Sequence, residues 1–124
     1  MAKQQGMKLY DSELNVMEVL WDKGELRASE VVKELGERIG WNRNTTYTVI
    51  KKCVEKGAIK RIEPKFICHP MVTREAAQEY ALRELLNRLF QGDKEKMKQM
   101  ISQLEFIDFF SLKKQKGAYL WSLL

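Results

Sequence analysis

Cysteine and histidine are scarce in this 124-residue sequence: two cysteines, Cys53 and Cys68, and one histidine, His69. The cysteines form no CxxC pair and gather no His/Cys cluster, which argues against a disulfide framework and a structural zinc site. Two unpaired thiols fit a reducing, cytoplasmic compartment. Cys68-His69 offers two adjacent ligands without a third, so neither a metal nor another cofactor is expected. No apolar run approaches the roughly 20 residues of a membrane helix, and no membrane insertion is expected. Met1 to Tyr10 has no apolar h-region, so no signal peptide is expected either. There is no nucleophile–base set, no pair of catalytic carboxylates and no phosphate-binding glycine loop, and the chain does not read as an enzyme. Internal repeats and low-complexity segments are also missing.

What remains is an ordinary globular balance, 44% apolar and 31% charged, in a length that suits one domain or one domain plus a short appendage. The net charge of +5 is compatible with a polyanionic partner, but its distribution decides more than its sum. After a polar lead, Asp11 is placed as the N-cap of a first helix bearing Leu14, Met17, Val19, Leu20 and Trp21, which Gly24 ends in a left-handed conformation. A second helix spans about Ala28 to Ile39, with Ala28, Val31, Val32, Leu35 and Ile39 as its apolar face and Gly40 as its stop. Asn42 caps a third, about Arg43 to Lys56, that ends at Gly57. Its residues Thr46, Val49, Ile50, Cys53 and Val54 fall on one side, and Asn44, Tyr47, Thr48, Lys51 and Glu55 on the other.

Ala58 to Glu63 and Phe66 to Val72 then read as two strands of a hairpin turning at Pro64 and Lys65. Thr73 caps a fourth helix and Asp93 a fifth, with a basic break at Lys113 to Gly117 and an apolar tail from Ala118 to Leu124. The fold class expected is mainly α with a small antiparallel β wing, a winged helix-turn-helix over 1–72 followed by a C-terminal helical dimerisation region over 73–124.

Three helices and a hairpin in this order place the third helix where a recognition helix belongs, one face packed and the other polar. Asn pairs with adenine, and Thr offers a hydroxyl and a methyl to a base edge. Lys51 and Lys52 are better placed for phosphate, and Arg61 and Lys65 in the hairpin reach the backbone beside the groove. From Asn42 to Lys65 seven basic residues stand against two acids, whereas the first 41 residues hold six bases and eight acids. The positive charge thus concentrates on the elements that would touch DNA. A second reading, a winged-helix protein-interaction module without a DNA role, is open to any such fold.

The runs LYDSELNVMEVLW and WNRNTTYTVIKKCVEKGAIKR, with the strand and capped helix from Phe66 to Glu75, resemble the penicillinase-repressor family. The resemblance covers about residues 9 to 92 and departs from about Phe106 onward. It implies a winged-helix transcriptional repressor that binds a palindromic double-stranded DNA operator as a homodimer. By position it puts the recognition face at Arg43, Asn44, Thr45, Tyr47, Thr48 and Lys51. It also implies, for antibiotic-responsive members, a membrane sensor protease as partner. Their Asn-Phe cleavage pair is missing here, where Lys98-Gln99-Met100-Ile101 stands. The paired CxC motif of copper-responsive members is missing as well. Dimerisation is expected through Leu82, Leu85, Leu86, Leu89, Phe90, Met97, Met100, Ile101 and Leu104, more apolar side chains than a small domain covers alone. Phe106, Ile107, Phe109, Phe110 and the terminal tail are assigned to contacts within the dimer.

Overall fold

The computed structural model describes residues 6–116, with side chains through 105. The apolar tail from Ala118 to Leu124 and the side chains of Phe106, Ile107, Phe109 and Phe110 lie outside the described residues. The chain divides into two compact units, Met1–Leu82 and Arg83–Leu124.

The first unit opens with α1 (Asp11–Lys23). Its N-cap is Tyr10 and not Asp11, because the Glu13 carboxylate reaches back to accept the Tyr10 amide at 2.8 Å. That satisfies a donor the helix leaves free and moves the start one residue earlier than the Asp11 assignment. Gly24 follows with φ +84° and ψ −169°. Its φ is positive as expected, but its extended ψ is not left-handed helical and turns the chain into a two-residue strand, β1 (Leu26–Arg27).

Then comes α2 (Ala28–Ile39), stopped by Gly40 in the left-handed region at φ +71°, ψ +20°, where a side chain would be strained. Ile39 is exposed and not part of the apolar face. Next are α3 (Arg43–Glu55), β2 (Ile59–Ile62) and β3 (Ile67–Pro70). The sheet is antiparallel with order β1-β3-β2, so the expected hairpin has gained a third strand. β1 closes its free side through Leu26 opposite Cys68 and Arg27 opposite Ile67. The strands are shorter than the sequence reading because the ladder runs only from the Ile59–Pro70 pair to the Ile62–Ile67 pair.

The core is built by Val16, Met17, Val19 and Leu20 of α1, Val31 and Leu35 of α2, Val49, Ile50 and Cys53 of α3, and Ile59, Cys68 and Val72 around the sheet. Helical and alternating periodicity each deliver one apolar face to this centre. The helix α4 (Arg74–Phe90) begins in the same unit, its Ala76 amide capped by the Thr73 hydroxyl at 3.0 Å. The indole N–H of Trp21 donates to the Val72 carbonyl at 2.9 Å, and the Arg74 guanidinium donates to Glu18 (2.8 Å) and Asp22 (2.9 Å). These bonds anchor the first turn of α4 on α1.

The second unit contains the end of α4 and α5 (Lys94–Lys116). The Gly92 amide bonds back to the Leu86 carbonyl at 3.0 Å, and the Asp93 carboxylate accepts the Lys96 amide at 3.0 Å, ending one helix and starting the next. Helix α5 continues through the expected break at 113–116. Lysine and glutamine are good helix formers, and cations near a helix C-terminus complement its dipole. Among the described residues, no helix is long and apolar enough to cross a membrane.

Candidate nucleic-acid interface

Helix α3 owes its start to Asn42, whose side-chain oxygen accepts the Thr45 amide at 2.8 Å. It ends at Glu55, one residue before the expected limit, with Lys56 as C-cap. Thr46, Val49, Ile50 and Cys53 are buried at helical spacing, and the Thr46 hydroxyl is satisfied by the Asn42 carbonyl at 3.3 Å. The opposite face leaves Arg43, Asn44, Thr45, Thr48, Lys51 and Lys52 exposed. The structure therefore brings these six predicted residues together on the outer surface of one helix.

Tyr47, predicted on the same free face, is half-buried. Its ring packs against Phe66 with centroids 5.8 Å apart and planes at 60°, and the Arg43 guanidinium lies 5.1 Å above it. Phe66 ends the four-residue loop between Ile62 and Ile67. The Arg61 guanidinium also lies over the Phe66 ring, 3.7 Å from its centroid. Arg61 pairs with Glu63 as well. A continuous row of Arg43, Tyr47, Phe66 and Arg61 thus joins α3 to the wing. Phe66 was not among the predicted site residues, since an aromatic after Pro-Lys reads simply as the first residue of a strand.

Cross-strand pairing places the remaining wing residues. Arg61 stands opposite Cys68 and Lys60 opposite His69. Directly opposed residues share a sheet face, so Arg61 is on the face of the buried Cys68 and Lys60 is on the other. His69 Nδ1 lies 2.6 Å from a Glu25 carboxylate oxygen. Lys65 is exposed in the loop.

The basic segment is less uniformly positive than its sequence suggests. The Lys56 ammonium donates to Glu13 at 2.6 Å and to the Lys8 carbonyl at 2.8 Å. Burial of Glu13 by itself would raise its pKa. The hydrogen bonds from Lys56 and the Tyr10 amide, with the nearby charges of Lys56 and Lys52, outweigh burial and hold it below its ordinary value. Lys56 is therefore internal charge, and Arg61 has its acid in Glu63. Arg43, Lys51, Lys52, Lys60 and Lys65 form no ion pair among the described residues. Burial pushes the Cys53 thiol up to about 12 and Cys68 to about 11, which makes both poor nucleophiles and poor metal ligands.

In the second unit, Leu89, Met100, Ile101 and Leu104 are exposed, Leu85, Leu86 and Phe90 are half-buried, and Met97 is buried. Leu82, at the end of the first unit, is exposed as well. Met97 thus belongs to packing within the chain, unlike most of the residues predicted beside it.

Three helices followed by a β hairpin, with the third helix polar on its outer face and a loop beside it, define a winged-helix protein. The sequence model of the penicillinase repressor family matches residues 9–122, and the chain belongs to that family. The match extends past the 9–92 read from sequence and takes in the segment after Phe106. The penicillinase repressor of Bacillus licheniformis is 29% identical over 87 residues, 68% of each chain. The solution structure of the DNA binding domain of the repressor BlaI superposes with a TM-score of 0.52 at 28% identity, covering 61% of this chain and 93% of that one.

Proposed function

We propose that this protein is a sequence-specific DNA-binding transcriptional repressor acting as a homodimer on a palindromic operator. The observation that carries the reading is the two-sided character of α3. Its apolar face is fixed in the core, while Asn44, Thr45, Thr48, Lys51 and Lys52 project outward, with the basic wing beside them. That arrangement suits a helix lying in a major groove, with amide and hydroxyls at base edges and cations on phosphate. Family membership and the likeness to a repressor's DNA binding domain support it. Repression follows from occupancy of the operator.

The dimer is supported by the exposed Leu89, Met100, Ile101 and Leu104. Each is only about half exposed, so covering what remains contributes roughly 1 kcal/mol apiece. Two-fold symmetry in the protein then mirrors an inverted repeat in the operator. We assign the wing, Arg61 and Lys65, to the flanking backbone.

Selection of duplexes from a random pool tests this directly. The wild-type protein should enrich an inverted repeat, Asn44→Ala and Thr48→Ala should broaden the selected sequences, and sedimentation should give a dimer. A pool that stays random after selection would remove the repressor reading. An enriched single site bound by a monomer would remove the palindrome.

A further inference from the structure

We infer that Phe66 is a positioning residue for DNA binding, its ring holding the Arg61 guanidinium in one rigid surface with Arg43 at the start of the recognition helix. The inference rests on the DNA-binding reading above and deepens it, naming what sets the wing cation relative to α3. Three observations carry it.

The first is the row itself. Arg61 lies over the Phe66 ring at 3.7 Å, Tyr47 packs against the same ring at 5.8 Å, and Arg43 covers Tyr47 at 5.1 Å. A planar guanidinium over an aromatic face gains cation–π attraction and keeps its edge donors available. The second is the backbone of Phe66, at φ +51°. A bulky non-glycine residue rarely occupies that region, and such conformations persist only where the surroundings over-determine them. Here the surroundings are visible: the Phe66 carbonyl accepts the amide of Ala28, the first residue of α2, at 2.9 Å. Phe66 is thus tied to α2 by its backbone and to α3 by its ring, so the loop is not free to swing. The third is the state of Arg61, whose side chain is about half exposed yet held on two sides, by the Phe66 ring and by Glu63 at Nε. A long cation restrained in this way loses less freedom when it meets a phosphate.

Affinity for a fluorescent duplex of arbitrary sequence, measured over a range of salt concentrations, tests the inference. Arg61→Ala should lower the slope of log affinity against log salt by about one. Phe66→Leu removes no charge, yet should bind several-fold more weakly and lower the slope nearly as much. In the Phe66→Leu background Arg61→Ala should cost little more, and Phe66→Tyr, which keeps the ring, should retain wild-type affinity and slope. Arg61→Lys keeps the charge but not the planar stack and should also bind several-fold more weakly. A folded Phe66→Leu protein with the wild-type slope, or losses from Phe66→Leu and Arg61→Ala that simply add, would overturn the inference. So would Arg61→Lys binding as the wild type does, an outcome that decides the matter even if Phe66→Leu fails to fold. If the wild-type protein shows no salt-dependent duplex binding, the DNA reading falls and takes this inference with it. If Lys51→Ala lowers the slope and Phe66→Leu leaves it unchanged, only the inference falls.

Discussion

Replacing Lys56 by Met should destabilise the winged unit strongly at neutral pH and much less in acid. The Glu13 side chain is 6% exposed and that of Lys56 26%. Without the ammonium, the Glu13 carboxylate keeps the Tyr10 amide at 2.8 Å and loses the shorter, charge-assisted bond at 2.6 Å. Breaking a fully buried pair by removing one partner costs about 3–5 kcal/mol. Lys56 is a quarter exposed, so water reaches the vacated position, and about 2–3 kcal/mol is the expected loss. For a domain of this size that lowers Tm by roughly 10–20 °C.

The pH dependence follows from the two states of Glu13. In the wild type its folded pKa lies below the ordinary 4.5, so its stabilisation is full above that value and is lost as pH falls through the folded pKa. In Lys56→Met the hydrogen bond and charge of Lys56 no longer oppose burial, so the folded pKa rises relative to the wild type, and the gap between the two proteins is largest at neutral pH and fades once the carboxyl protonates. Urea unfolding followed by the fluorescence of Trp21 and Trp41 at neutral and at mildly acidic pH should show the gap between the two proteins closing in acid. Adding Glu13→Gln to Lys56→Met should recover part of the loss, because no unpaired charge is left inside. A gap of equal size at both pH values would refute the reasoning.

Asn42→Ala removes the acceptor of the Thr45 amide and should cost about 1 kcal/mol, read as a lower urea midpoint with unchanged slope. Cys53 and Cys68, with pKa values pushed to about 12 and about 11, should resist a thiol reagent in the folded protein and react only as fast as the protein unfolds; prompt labelling under native conditions would contradict their burial. Leu89→Glu or Leu104→Glu should shift the sedimentation profile toward monomer and leave the melting of the winged unit unchanged, since both side chains are exposed and belong to the second unit.

Helix boundaries were legible wherever local chemistry marks them. The bounds of α2 agree with the sequence reading at both ends, because Gly40 stops it and its apolar spacing is regular. Asn42, Thr73 and Asp93 each cap the following helix as expected, since a short polar side chain before an apolar stripe has one evident use. What was missed depends on contacts distant in sequence. Two residues of β1 carry no alternation, and only their partners on β3 make them a strand. The Glu13–Lys56 pair spans 43 positions, so Lys56 was counted with the outward charge. Tyr10 replaced Asp11 as the cap because the carboxylate three residues after Tyr10 chose between them. The exposed side of α3 was readable from periodicity alone, whereas the half-burial of Tyr47 required Phe66, which the wing brings beside it.

Backbone amide chemical shifts of the isotopically labelled protein, followed as a DNA duplex is added, probe the recognition surface itself. The largest changes should fall on Asn44, Thr45, Thr48 and Lys51, with Arg61 and Lys65 also moving, while Glu34 and Glu37 on α2 stay put. Changes centred on α2 or on the end of α4, with the outer side of α3 silent, would contradict the placement of the interface on α3.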